Sequence, residues 1–141
     1  MATLHRDIPI HAPVDQVWEA IRDVGRPHER IVPGVLTDAT YDGVTRTVTF
    51  ADGFVATERI VAVDEERHRV AYAVVDGPFE HHHASMEVVA GPDGTSRVLW
   101  TTDLLPEDVV PFVDALVDQG ARAMQATLAS DVPAAGATLA S

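Results

Sequence analysis

The sequence predicts an α+β domain in which an antiparallel sheet of seven strands wraps one long C-terminal helix. Three observations lead there. From Glu107 to Ser130 the residues Val109, Val113, Leu116, Val117, Met124 and Leu128 recur at spacings of three, four and seven, the stripe of an amphipathic helix. Before it come six stretches of strand-like alternation separated by turn residues, notably Asp42-Gly43, Asp52-Gly53, Gly77-Pro78 and Pro92-Asp93-Gly94. Tight turns between successive strands imply antiparallel pairing.

Taken in order, Thr3 to Ile10 carries two β-branched isoleucines and reads as the first strand. Pro13 then opens a helix to Arg22, with Val14, Val17, Trp18 and Ile21 on one side and Gly25 beyond its end. A short second helix spans Arg26 to Arg30 and is stopped by Pro33 and Gly34. Strands follow at Val35 to Tyr41, Val44 to Phe50, Phe54 to Val63, Arg69 to Val75, Phe79 to Val89 and Ser96 to Leu105. Glu107 and Asp108 sit in the first turn of the long helix, where carboxylates favour the positive end of its dipole. Pro133 suits a position past its end, and residues 131–141 are expected to form a frayed tail on a single domain of residues 1–141.

Composition narrows the function classes. Lys plus Arg total 10 against 22 Asp plus Glu, a formal charge of −12. Nucleic acid and anionic membranes both need clustered cations, so neither is an expected partner. The chain has no cysteine, hence no disulfide and no thiolate metal site. Met1 to Ile10 has no apolar run, and no stretch approaches the ~20 apolar residues of a membrane span, so no signal peptide or membrane insertion is expected. A cytoplasmic protein, monomeric or homodimeric, fits these features.

Alternation fixes which side chains face inward. Val44, Arg46, Val48 and Phe50 share one face, and Thr45, Thr47 and Thr49 the other. The fourth strand is mixed on both faces; Phe54, Ala56, Glu58 and Ile60 are placed inside and Thr57 and Arg59 outside, and Val70, Tyr72 and Val74 continue the inner set. It ends with His82, Ala84, Met86 and Val88, and Val98, Trp100, Thr102 and Leu104.

The order of elements resembles the START-like, or SRPBCC, superfamily with its helix-grip fold, also known from the birch-pollen allergen. Within it the chain is most similar to the polyketide cyclase/dehydrase and lipid-transport group. The residues that carry the resemblance are Ile10-His-Ala-Pro13-Val-Asp-Gln-Val17-Trp18, Gly43-Val-Thr-Arg46 and Thr57-Glu58-Arg59-Ile60. Arg69-Val-Ala-Tyr72 with Gly77-Pro78, and Arg97-Val-Leu-Trp100, complete the set, which spans nearly the whole chain. The resemblance implies a curved sheet gripping the last helix, with a cavity between them for lipids, hormones or polyketides. In some relatives cyclisation or dehydration takes place there. Where relatives often have an aromatic residue, this chain has His81-His82-His83, which makes the expected cavity more polar.

Several residues are candidates for that cavity, each with a plainer alternative. Arg46 and Glu58 fall on adjacent strands: Arg46 could hold an anion while Glu58 moves a proton, or the two could form a mutually satisfied ion pair. His82 suits acid–base work near neutral pH and Tyr72 could donate to an oxyanion, or both are polar wall. Trp100 and Met86 are either ligand-stacking wall or core, with Phe54 and Met124 beside them. Gly120 either leaves room for a ligand or permits close packing. His28 is either an entrance residue or plain surface. His81 and His83 share a face at the spacing of a metal chelate, but no third ligand joins them, so no metal and no cofactor is expected. The leading expectation is a domain that binds a hydrophobic or aromatic small molecule, lipid-like or polyketide-like. The alternatives are a cyclase or dehydratase lyase using Glu58 and His82 with Arg46 and Tyr72, and a protein-interaction or stress-response module.

Overall fold

The structure is a computed structural model and describes residues 2–129. The expected tail at residues 131–141 and the helix stop at Pro133 lie outside the described residues. The elements are β1 (Ala2–Ile10), α1 (Val14–Ile21), α2 (Pro27–Arg30), β2 (Leu36–Tyr41), β3 (Thr45–Phe50), β4 (Val55–Asp64), β5 (Arg69–Val74), β6 (His81–Ala90), β7 (Ser96–Leu105) and α3 (Val110–Leu128). The seven strands form one curved antiparallel sheet in the order β1-β7-β6-β5-β4-β3-β2. This is the helix-grip arrangement.

Three of the turns repeat one chemical device. An aspartate at the start of the turn accepts from backbone N–H groups ahead of it: Asp42 from Val44 and Thr45, Asp52 from Phe54, and Asp64 from Glu66 and Arg67. Such Asx turns satisfy donors that the strand ladder leaves open. Gly43 follows at φ +99°, a conformation that a side chain would strain. Pairing of β1 with β7 is different, since no local turn specifies it. It aligns Ala2 with Leu104 through to Ile10 with Ser96 and brings the two ends of the strand series together. The buried Ser96 hydroxyl donates to the Ala12 carbonyl at 2.5 Å and ties β7 to the β1–α1 junction.

The long helix begins later than the carboxylates suggest. Glu107–Val109 make a 3₁₀ turn, and the α-helix proper starts at Val110 with Pro111 in its first turn. A first-turn proline loses no intrahelical hydrogen bond, because its N–H would have no partner there. The buried stripe is Val113, Val117, Gly120, Met124 and Leu128. Within the sheet, β6 starts at His81 rather than Phe79. Phe79 leaves the ladder and lines the interior instead.

Most of the buried apolar residues form one cluster under α1 and the C-terminal half of α3, including Ile10, Val17, Ile21, Val98, Met124 and Leu128. A smaller cluster of Leu104, Val113 and Val117 lies under the N-terminal half of α3. The division leaves space between the two. No helix among the described residues is long and apolar enough to cross a membrane.

Candidate functional site

That space is a partly open cavity of about 110 Å³ bordered by the end of α1, by α2 and α3, and by the concave face of the sheet. The strand register brings its polar residues together. Arg46 on β3 stands opposite Glu58 on β4, Ile60 opposite Tyr72, Tyr72 opposite Ala84, and Met86 opposite Trp100. Side chains two residues apart on a strand share a face. Arg46, Glu58, Tyr72, His82 and Trp100 therefore converge on one surface, and all five line the cavity. A bulge between Ile60 and Ala62 shifts the β4–β5 register only beyond Tyr72, so it leaves this group intact.

Arg46 and Glu58 are buried, and Arg46 Nε donates to Glu58 Oε1 at 2.6 Å. Arg46 Nη1 also donates to the Val24 carbonyl at 2.9 Å, between α1 and α2. The guanidinium carbon lies 5.0 Å from the centroid of the Tyr72 ring, within cation–π range. Tyr72 is buried, and burial with the nearby Glu58 charge holds its hydroxyl well above the usual range, fully protonated at neutral pH. Trp100 Nε1 donates to this hydroxyl at 3.2 Å. Trp100 in turn lies against α3: a Cβ on Gly120 would sit 2.9 Å from its Cη2. The indole thus takes up part of the room left at Gly120, which also lines the cavity.

His82 is packed edge-on to Phe79, with ring centroids 4.9 Å apart, and lies 6.4 Å from the Tyr72 ring. Its Nδ1 is buried without a hydrogen-bond partner. Burial pushes its pKa down to about 4 from 6.5, so the ring is neutral at neutral pH. This shift has a consequence for stability. The unfolded chain protonates His82 near pH 6.5, while the folded chain resists until about pH 4. The stability that the neutral ring contributes is complete above pH 6.5, falls as the pH drops towards 4, and changes no further below it. A loss on the order of 2 kcal/mol is expected across that window. Urea unfolding at pH 7 and pH 4.5 checks it, and His82→Phe should flatten the dependence; an equal loss in the variant would assign it to other groups.

Phe54, Met86 and Gly120 also line the cavity. Two candidates do not. Met124 is fully buried in the main cluster, one helical turn beyond the cavity-facing stretch of α3 that ends at Gly120. His28 is half-buried on α2 but does not reach the lining; Pro27 and Ile31, four residues apart on one side of that segment, do so instead. Sequence reasoning passed over Phe79 and Thr102 as site residues. Thr102 carries a signal, its place in the inward alternation of β7, whereas Phe79 reads as an ordinary strand residue. His81 and His83 lie across from Leu105 and Asp103 on the other face, and no group of three or more metal-capable side chains occurs among the described residues.

Comparison with known proteins agrees with this geometry. Residues 1–131 match the family described as polyketide cyclase / dehydrase and lipid transport. Among solved structures, one from Thermobifida fusca is 28% identical with a TM-score of 0.71, covering 92% of this chain and 91% of that one. An uncharacterised protein from Bacillus thuringiensis is 19% identical with a TM-score of 0.82, covering 92% of this chain and 100% of its own. A norcoclaurine synthase point mutant from Thalictrum, in complex with a transition state analogue, is 17% identical with a TM-score of 0.68, covering 90% and 93%. At these last two identities the likeness concerns the fold.

Proposed function

The chain belongs to the polyketide cyclase/dehydrase and lipid transport family, and from that premise we propose that it binds a hydrophobic small molecule between the sheet and α3. The observation that carries this reading is the cavity itself, walled largely by apolar side chains and placed where α3 crosses the concave sheet. Its size limits the guest. A cavity of about 110 Å³ is smaller than the roughly 150 Å³ engineered cavity that accepts benzene, and well below the ~300–1,000 Å³ of drug-sized sites. A single small ring, or one end of a larger molecule, is what it admits without opening.

The geometry favours binding over a lyase in which Glu58 shuttles a proton. Glu58 is engaged at 2.6 Å by Arg46, which is itself anchored to the Val24 carbonyl. Releasing either group would leave a buried charge without its partner. His82, neutral and unpartnered at Nδ1, is the better placed of the two to meet a guest.

Titration with indole and toluene, followed by amide NMR, tests the proposal. Shifts are expected to cluster at Tyr72, Met86, Trp100, Val113 and Gly120. Shifts confined to the outer face of the sheet, or none in the folded protein, would remove the reading.

A further inference from the structure

The cavity opens at one end of the sheet. Of its lining residues, Val35, Phe54, Phe79 and Leu116 reach solvent in part, and they lie on the α2–β2 link, the β3–β4 turn, the β5–β6 loop and the N-terminal half of α3. Ile21, Arg46, Val48 and Val70, towards the other end, are buried. The segments of this mouth touch one another. The Ala51 N–H donates to the Val35 carbonyl at 3.0 Å, and the Phe54 and exposed Phe112 rings meet edge to face at 5.3 Å. The rim carries charge of one sign. Asp52, Asp76, Glu80 and Asp108 are exposed, each within four residues of Phe54, Phe79 or Phe112. Residues 50–57, 75–80 and 105–113 hold no arginine, and the chain has no lysine. Elsewhere arginines answer the carboxylates: Arg22 pairs with Glu65, Arg97 with Asp7 and Arg122 with Asp118. Four exposed acids with no cation between them place a negative field across the mouth, screened by salt. A cavity of about 110 Å³ takes only one end of an amphiphile, so the other end stays at this mouth. An ammonium there meets opposite charge without leaving water, whereas a carboxylate meets like charge.

We infer that the cavity selects amphiphiles with a cationic end: the apolar end seats between the sheet and α3, and the ammonium stays at the mouth beside Asp52, Asp76, Glu80 and Asp108. This rests on the reading that the cavity takes a guest and adds the charge of the guest's outer end. It separates hydrophobic amines from fatty acids, which offer the same chain to the cavity but bring a carboxylate to an acidic rim.

Heptylamine, heptanol and heptanoate share one chain and differ in the charge of one end, so they make the test. The full chain is titrated by amide NMR at about pH 8, where histidine side chains are ordinarily neutral. All binding is read at the cavity signals of Tyr72, Met86 and Trp100. In about 20 mM NaCl heptylamine is expected to bind about tenfold more tightly than heptanol, and heptanoate about tenfold more weakly. Raising the salt to about 500 mM should shrink both ratios by about threefold or more. Asp108→Asn with Glu80→Gln should weaken heptylamine about threefold and leave heptanol as before. The same charge removed at the far end of the sheet, by Asp93→Asn with Glu66→Gln, should change neither. The salt comparison needs no variant. Heptanol binding as tightly as heptylamine, or the two pairs of substitutions acting alike, would overturn the inference and leave the apolar-cavity reading standing. So would heptylamine shifts confined to the acidic turns, the mark of ammonium gathering at exposed carboxylates alone. If neither these chains nor indole and toluene move a cavity signal, both readings fall together.

Discussion

Arg46→Met is expected to destabilise the protein by about 3–5 kcal/mol, because it strands the Glu58 carboxylate among apolar neighbours. It also removes the donor to the Val24 carbonyl, loosening the link between α1 and α2. The reverse single change, Glu58→Leu, strands the guanidinium and should cost a similar amount, with part of the charge still answered by that carbonyl. The informative variant is the double, Arg46→Met with Glu58→Leu. Replacing both partners of a buried pair by apolar groups of similar size is often neutral or stabilising, so most of the loss should be recovered. Urea unfolding of the four proteins gives the coupling directly. Additive losses would show that each residue is held by its other neighbours and that the pair is incidental. The cycle also decides what the pair is for: a stability role predicts a poorer double variant, whereas a role at the site predicts a stable one with altered guest preference.

Met124→Ala should cost about 2–5 kcal/mol, since the side chain is fully buried and its removal leaves a void. Guest affinity, measured on the folded protein well below the denaturation midpoint, should not change. The reason is position along the helix. Val113, Val117 and Gly120 face the cavity, while Met124 and Leu128 close the main core past its end. A large change in affinity with little loss of stability would return Met124 to the site and put the boundary of the cavity in the wrong place.

Met124 also shows how far the sequence can be read. A repeat of three and four residues tells which side of a helix is buried, but not which length of that side meets a core and which a cavity. His28 shows the same limit: on so short a segment one residue decides the side, and Pro27 and Ile31 occupy the one that lines the cavity. Strand alternation is more informative, because period two leaves only two faces and turn chemistry sets where each strand begins. Arg46, Tyr72, His82 and Trp100 are therefore assigned to one face by alternation, whereas the strand of Glu58 is mixed on both faces and its side is a choice that the sequence leaves open. What no local rule supplies is contact across the gap between layers. The pairing of β1 with β7 and the seating of Trp100 against Gly120 both depend on how distant segments close on each other. At Gly120 the sequence leaves room for a guest and close packing as equal alternatives, because it does not show the ring that comes to lie there.

The place of Trp100 has a practical side. The chain contains two tryptophans, and the other, Trp18, lies away from the cavity, where it donates to Glu65 and stacks near His68. A Trp18→Phe chain would keep a single indole, bonded to the Tyr72 hydroxyl and facing the interior. Its emission would then respond directly to whatever enters, with no added dye or label.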